Sequence, residues 1–75
     1  MKINLDKMQW HWEQYRIHNT AAREHLRAAS EAIHAHDYDT WQTRYHAYLA
    51  EDKIADRHLG THRAMQTKLE RSYTV

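Results

Sequence analysis

The sequence predicts an all-α fold, an antiparallel hairpin of two long helices that forms a single domain over residues 1–75. Two segments carry core-type residues at alternating spacings of three and four positions, and a short aspartate-rich segment separates them. This spacing keeps one side of each helix facing a partner helix, as in a coiled coil. The 75-residue chain also has no proline and one glycine, so it has few means of making turns or sheet corners.

The first helix is predicted over about residues 6–36. Asp6 is its predicted N-cap, because Gln9 stands three positions later and completes the capping-box spacing. Alanine, glutamate, arginine and leucine are frequent along it and favour helix. Its core-type positions are Leu5, Met8, Trp12, Tyr15, Asn19, Ala22, Leu26, Ala29, Ile33 and His36.

A turn is predicted at about residues 37–39 and a second helix over about residues 40–72, with Asp39 as its N-cap. Gly60 is a candidate for a break or kink. The core spacing keeps its phase across this glycine, which favours one continuous or gently kinked helix. The core-type positions are Trp41, Tyr45, Tyr48, Asp52, Ala55, Leu59, His62, Gln66, Leu69 and Tyr73.

Folding the two ladders against each other gives a predicted set of layers in which small residues mostly oppose large or polar ones. Trp12 is predicted to face His62 near the open end. Asn19 and Asp52 lie in neighbouring layers at the middle. Either they form a buried polar layer that fixes the register, or both reach solvent at the edge of a thin seam.

A second apolar stripe on the first helix predicts association with another helix. A chain of this size buries little surface when it folds alone, and a lone hairpin covers one face only. We therefore expect a homodimeric four-helix bundle, or docking on another protein. The function favoured is that of a non-enzymatic protein-interaction module, a regulator, adaptor or inhibitor of a larger complex. The predicted interface residues are Trp10, Ile17, Ala21, Ala28 and Ala35.

The outward side of the second helix carries spaced basic residues, which gives an alternative function. A cationic helical stripe binds the phosphates of nucleic acid in a salt-dependent manner. A helical-hairpin dimer that binds DNA or RNA would use His46, Lys53, Arg57, Lys68 and Arg71.

The eight histidines suggest a lesser alternative, metal binding. His58 and His62 are four residues apart, and the antiparallel register brings His18 near His58, so these three could hold an ion such as zinc. Leu59 stands where a HExxH metalloprotease has its glutamate, which argues against hydrolysis. The register also predicts that His25 faces Glu51 and that association loosens below about pH 6.

Composition excludes several other classes. Cysteine is absent, so there is neither a disulfide framework nor a thiolate metal site, and the formal charge of +1 does not by itself indicate nucleic acid. Without a cysteine nucleophile, a glycine-rich phosphate loop or an assembled triad, we predict no enzyme activity and no cofactor. The start lacks an apolar run, so we expect a soluble cytoplasmic protein with no membrane partner.

Overall fold

A computed structural model describes residues 4–73 and consists of two helices, α1 (Leu5–His34) and α2 (Tyr38–Tyr73). No strand occurs within those residues. The helices are 30 and 36 residues long and run antiparallel, since His25 of α1 contacts Arg44 near the turn and His62 contacts Met8 at the other end. The predicted all-α helical hairpin is confirmed.

Asn4, and not Asp6, caps the start of α1. The Asn4 side-chain oxygen accepts a hydrogen bond of 3.1 Å from the backbone N–H of Lys7, which satisfies one of the free donors at the helix start. Asp6 lies in the first turn, where its negative charge is favourable next to the positive end of the helix dipole. The N-cap therefore lies two residues before the predicted one.

The connection between the helices is a left-handed turn centred on His36. This residue has a φ of 58°, and its N–H donates to the carbonyl of Ile33 over 3.1 Å. The next N–H, of Asp37, donates to the carbonyl of Ala32 over 2.8 Å. The pair of bonds is a Schellman motif, which ends α1 at His34. His36 is thus outside the helix and is not its last core position.

α2 begins two residues before the predicted start because Asp37 is its cap. The Asp37 carboxylate accepts a hydrogen bond of 3.2 Å from the N–H of Thr40. Hydrogen bonds from the Thr40 side chain and backbone lower the pKa of Asp37. Asp39, the predicted cap, lies in the first turn instead. The helix then continues without a break through Gly60.

The seam between the helices is built on alanine. The buried apolar residues are Ala22, Ala29, Ala32 and Ala55, which are 1%, 2%, 6% and 1% exposed, and no larger side chain is buried among the described residues. The hairpin measures 58 × 18 × 13 Å and has a radius of gyration of 17.0 Å. A compact domain of this length would have a radius of about 11 Å, so the structure is thin and elongated.

On α1, one of the two rows of residues predicted to form the seam is wrong near the turn. The row of Tyr15, Ala22 and Ala29 faces α2, as its spacing predicts. Its companion row, however, is the set His11, His18, His25 and Ala32. Leu26 and Ile33, predicted as seam residues, lie on the other flank of the alanine row and are 41% and 40% exposed.

On α2, too, residues outside the predicted rows contact the other helix. Arg44, Glu51 and His58 contact α1, whereas Tyr45 from the predicted row is 38% exposed. Asn19 and Asp52 are both half-buried, and no polar side chain is buried within residues 4–72, so these two do not form a buried polar layer.

Gly60→Ala is expected to raise the free energy of unfolding by about 1 kcal/mol, because alanine favours the helix interior and a Cβ at this position would meet nothing within 4 Å. Chemical denaturation followed by circular dichroism measures the change. Ala64→Gly, at an exposed position one turn later, is the matched control and should lower stability by a similar amount. A loss of stability in Gly60→Ala would contradict a continuous α2.

His36→Gly is expected to stabilise the hairpin by about 1 kcal/mol, because a side chain disfavours positive φ and glycine does not. Thermal and denaturant unfolding would both report the gain. Ala35→Gly is the control, since Ala35 has a φ of −86° and its replacement should give no gain. Equal effects at the two positions would show that the turn is not strained at His36.

Candidate functional site

One edge of the seam is a ladder of three polar contacts between the helices. Its members recur every seven residues in each helix, and we call them the polar ladder: His11, His18 and His25 of α1 with His58, Glu51 and Arg44 of α2. The Nδ1 atoms of His11 and His58 are 3.0 Å apart. His18 Nδ1 lies 2.5 Å from a Glu51 oxygen, and Arg44 Nη1 donates to His25 Nδ1 over 3.1 Å.

Aromatic contacts hold the open end of this ladder. The Trp10 ring meets the rings of His11 and His58 edge to face, with centroids 4.9 and 5.3 Å away. The His18 and His58 rings lie parallel, 5.9 Å apart and tilted by 10°. His58 is therefore surrounded by three rings from α1, two of them imidazoles.

His62 takes part in a separate contact next to the ladder. Its Nδ1 donates to the backbone carbonyl of Met8 over 3.2 Å, and its ring lies 5.1 Å from that of Trp12. The predicted layer of Trp12 and His62 is thus present. Together with His58, it concentrates histidines where α1 begins.

The pKa of His11 is lowered in this environment. Loss of water contact is the main cause, followed by the positive charge that His58, Lys7 and His62 can carry. The fold therefore favours the neutral form of this imidazole.

The histidines predicted to bind metal are only partly brought together. His18 lies beside His58 but is engaged by Glu51, while His62 is engaged by the Met8 carbonyl. Within the described residues, no group of three or more histidine, cysteine, aspartate or glutamate side chains is arranged to hold a metal ion. The predicted contact of His25 with Glu51 is wrong, because Arg44 occupies that position.

The opposite edge of the seam is apolar near the turn, and sequence reasoning missed it by placing several of its residues inside. We call it the apolar turn face: Leu26, Ile33, Tyr38, Tyr45 and Leu49, which are 41%, 40%, 59%, 38% and 45% exposed. Tyr45 stacks on Trp41 with centroids 5.7 Å apart and also contacts Tyr48, at 5.9 Å. Side chains of both helices therefore form this surface.

The predicted interface on α1 is discontinuous. Trp10 and Ile17 are 48% and 59% exposed, but Ala21 and Ala28 are half-buried, and Ala35 is the C-cap residue beyond the helix end. Trp10 is also partly covered by its contacts with the ladder histidines. Beside Ile17 is an open depression of about 520 Å³ whose other lining residues are polar: Glu13, Arg16 and Thr20.

The predicted basic face lies on the solvent side of α2. His46, Lys53, Arg57 and Lys68 are exposed and form no ion pair with other residues in the described part of the chain. Arg71 is exposed in the last turn. The charges are accessible but spread along more than two thirds of the helix.

Comparison with protein-family models, curated proteins and solved structures finds no significant match to this chain. Neither helix, over the residues described, has an apolar stretch of the length needed to cross a bilayer.

Glu51→Gln is expected to lower the free energy of unfolding by about 1 kcal/mol near neutral pH, because it removes the charge from a half-buried contact with His18. Denaturant unfolding measures the loss. Glu31→Gln is the control: Glu31 pairs with Arg27 in an ion pair whose side chains are 69% and 65% exposed, and it should change stability little. Equal losses in the two variants would contradict a special role for the ladder contact.

Proposed function

We propose that this chain is a non-enzymatic interaction module that pairs with a second copy through the apolar turn face, giving a dimeric four-helix bundle. One observation carries the proposal: the described residues bury nothing larger than alanine, while eight large apolar side chains remain 38–59% exposed. Burying apolar surface contributes about 25 cal/mol per Å², so this exposed surface favours association.

The size of the hairpin is sufficient for a stable pair. One broad side measures 58 × 18 Å, on the order of 1,000 Å². A specific interface covers about 800 Å² on each partner. Pairing along the broad side would therefore reach that size, with the turn face as its apolar part at one end.

The charges beside the turn face argue for a second copy as the partner. On α1, Arg16 and Arg23 precede Leu26 on the same side of the helix, and on α2, Asp52 and Asp56 follow Leu49. None of these four forms an ion pair within residues 4–72. A basic border on one helix and an acidic border on the other make the face complementary to itself.

This complementarity suggests one arrangement. A two-fold axis parallel to the helices would stack α1 of each copy on α2 of the other, with both turns at the same end. His18 lies opposite Glu51, so Arg16 and Asp52 are within about one residue of the same distance from the turn, and Asp56 lies about one helical turn farther from it. Arg16 of one copy would then face Asp52 of the other.

Leu49→Glu is expected to weaken association at least about tenfold while helicity is retained, because it places a charge in the apolar contact. Light scattering and sedimentation over a range of concentrations measure the mass. Ile17→Glu is the matched control, since Ile17 is also exposed (59%, against 45% for Leu49) but lies outside the turn face, and it should leave the dimer intact. Dissociation by Ile17→Glu alone would instead assign the interface to the stripe around Trp10.

A charge exchange tests the arrangement itself. Arg16→Asp should weaken the dimer, and adding Asp52→Arg should restore it, with both effects reduced at high salt. A wild-type chain that remains monomeric at every concentration would refute the proposal outright.

Nucleic-acid binding is a second candidate, favoured by the exposed basic side chains of His46, Lys53, Arg57 and Lys68 on α2. Lys53→Gln with Arg57→Gln would weaken binding to DNA or RNA and reduce its salt dependence, without affecting self-association. Absence of salt-dependent binding by the wild-type chain would exclude this candidate.

A further inference from the structure

Two contacts of the polar ladder require an unprotonated imidazole nitrogen. With the Nδ1 atoms of His11 and His58 3.0 Å apart, one ring must donate a proton and the other must accept it, so at most one of them can be charged. At His25, the partner is the Arg44 guanidinium, which can only donate. His25 Nδ1 must therefore keep its lone pair, and protonating it breaks the contact.

The middle contact responds in the opposite direction. The Glu51 carboxylate accepts from His18 Nδ1, and this bond forms with a neutral imidazole and is strengthened when the ring is charged. His18 thus provides an internal comparison within the same seam, since acid should preserve its contact while breaking the other two.

The charges around the ladder are mostly positive. His11 faces His58 and His62 of α2 and has Lys7 on its own helix. His58 faces His11 and His18. Arg44 faces His25. Glu51 is the anionic member of the ladder, and it is already paired with His18. Positive charge gained by the other ladder histidines is therefore not neutralised by a ladder carboxylate.

We propose that the polar ladder makes the hairpin itself acid-sensitive: protons taken up below about pH 6.5 separate His11 from His58 and His25 from Arg44, and the helices come apart. This inference concerns the contact between α1 and α2 and does not depend on the proposed self-association.

The direction of the effect follows from linkage. The pKa of His11 is lowered from its ordinary value of 6.5, so at this position the folded state binds fewer protons than the unfolded state as the pH falls below 6.5. The cost to stability is absent well above pH 6.5, grows as the pH falls below it, and is complete below the folded pKa. Carboxylates titrate mainly below this range, which leaves imidazoles as the responsible groups.

The test is the unfolding equilibrium of the intact chain from about pH 7.5 to about pH 5, measured by denaturant and circular dichroism. For each proton that the unfolded state binds and the folded state does not, the folding equilibrium constant falls about tenfold per pH unit. We therefore expect the folding constant to fall on the order of tenfold over this range. Repeating the series at two protein concentrations separates this effect from dissociation, because only association depends on concentration.

Three matched variants assign the effect to the ladder. His58→Gln should flatten the pH profile, and His18→Gln should steepen it by removing the contact that acid strengthens. His46→Gln is the control on the solvent side of α2, and its profile should match that of the wild-type chain. A flat wild-type profile would overturn the proposal, as would equal slopes for His58→Gln and His46→Gln.

Should His58→Gln fail to fold, ring-proton NMR of the wild-type chain still decides the question. His11 is expected to titrate in acid below its ordinary value. Titration of His11 at or above that value would refute the inference.

Discussion

The most deeply buried side chains between the two helices are alanines, and this limits how many large side chains the seam can bury. Ala22 and Ala29 of α1 and Ala55 of α2 are almost fully buried, with Ala32 close to the turn. Small side chains let helix backbones approach closely and leave no room in the seam for leucine or tryptophan. Many of the long side chains, among them Leu26 and Ile33, therefore lie at the edges of the seam.

The two edges have different chemistry because different heptad rows supply them. The row that begins at His11 is polar and meets Arg44, Glu51 and His58, so its members satisfy one another. Near the turn, the row that contains Leu26 and Ile33 is apolar, and these two side chains remain 41% and 40% exposed. One edge is thus satisfied within a single chain, and on the other edge large apolar side chains remain exposed.

The sequence was sufficient to predict the two helices, their antiparallel pairing and the continuity of α2 through Gly60. It was not sufficient to choose the phase of the seam. Core spacing is satisfied equally by pairing the Ala22 row with the Leu26 row or with the His25 row, and hydrophobicity favoured the former. Contacts made only across the hairpin, such as His18 with Glu51, decide between them. The caps differed for a local reason, since Asn4 and Asp37 compete with the nearby Asp6 and Asp39.

Because both edges flank the same buried alanines, a change in the spacing of the helices at one edge should also affect the other edge. Alanine has no long side chain that could maintain contact if the helices separate, so even a small gap loses much of the dispersion energy. The apolar turn face is assembled from Leu26 and Ile33 on α1 and Tyr45 and Leu49 on α2, and it keeps its shape only while the seam is closed. Protonation of the polar ladder would then weaken self-association without a charge entering the interface. By linkage, a second copy bound to the turn face would make the ladder histidines harder to protonate.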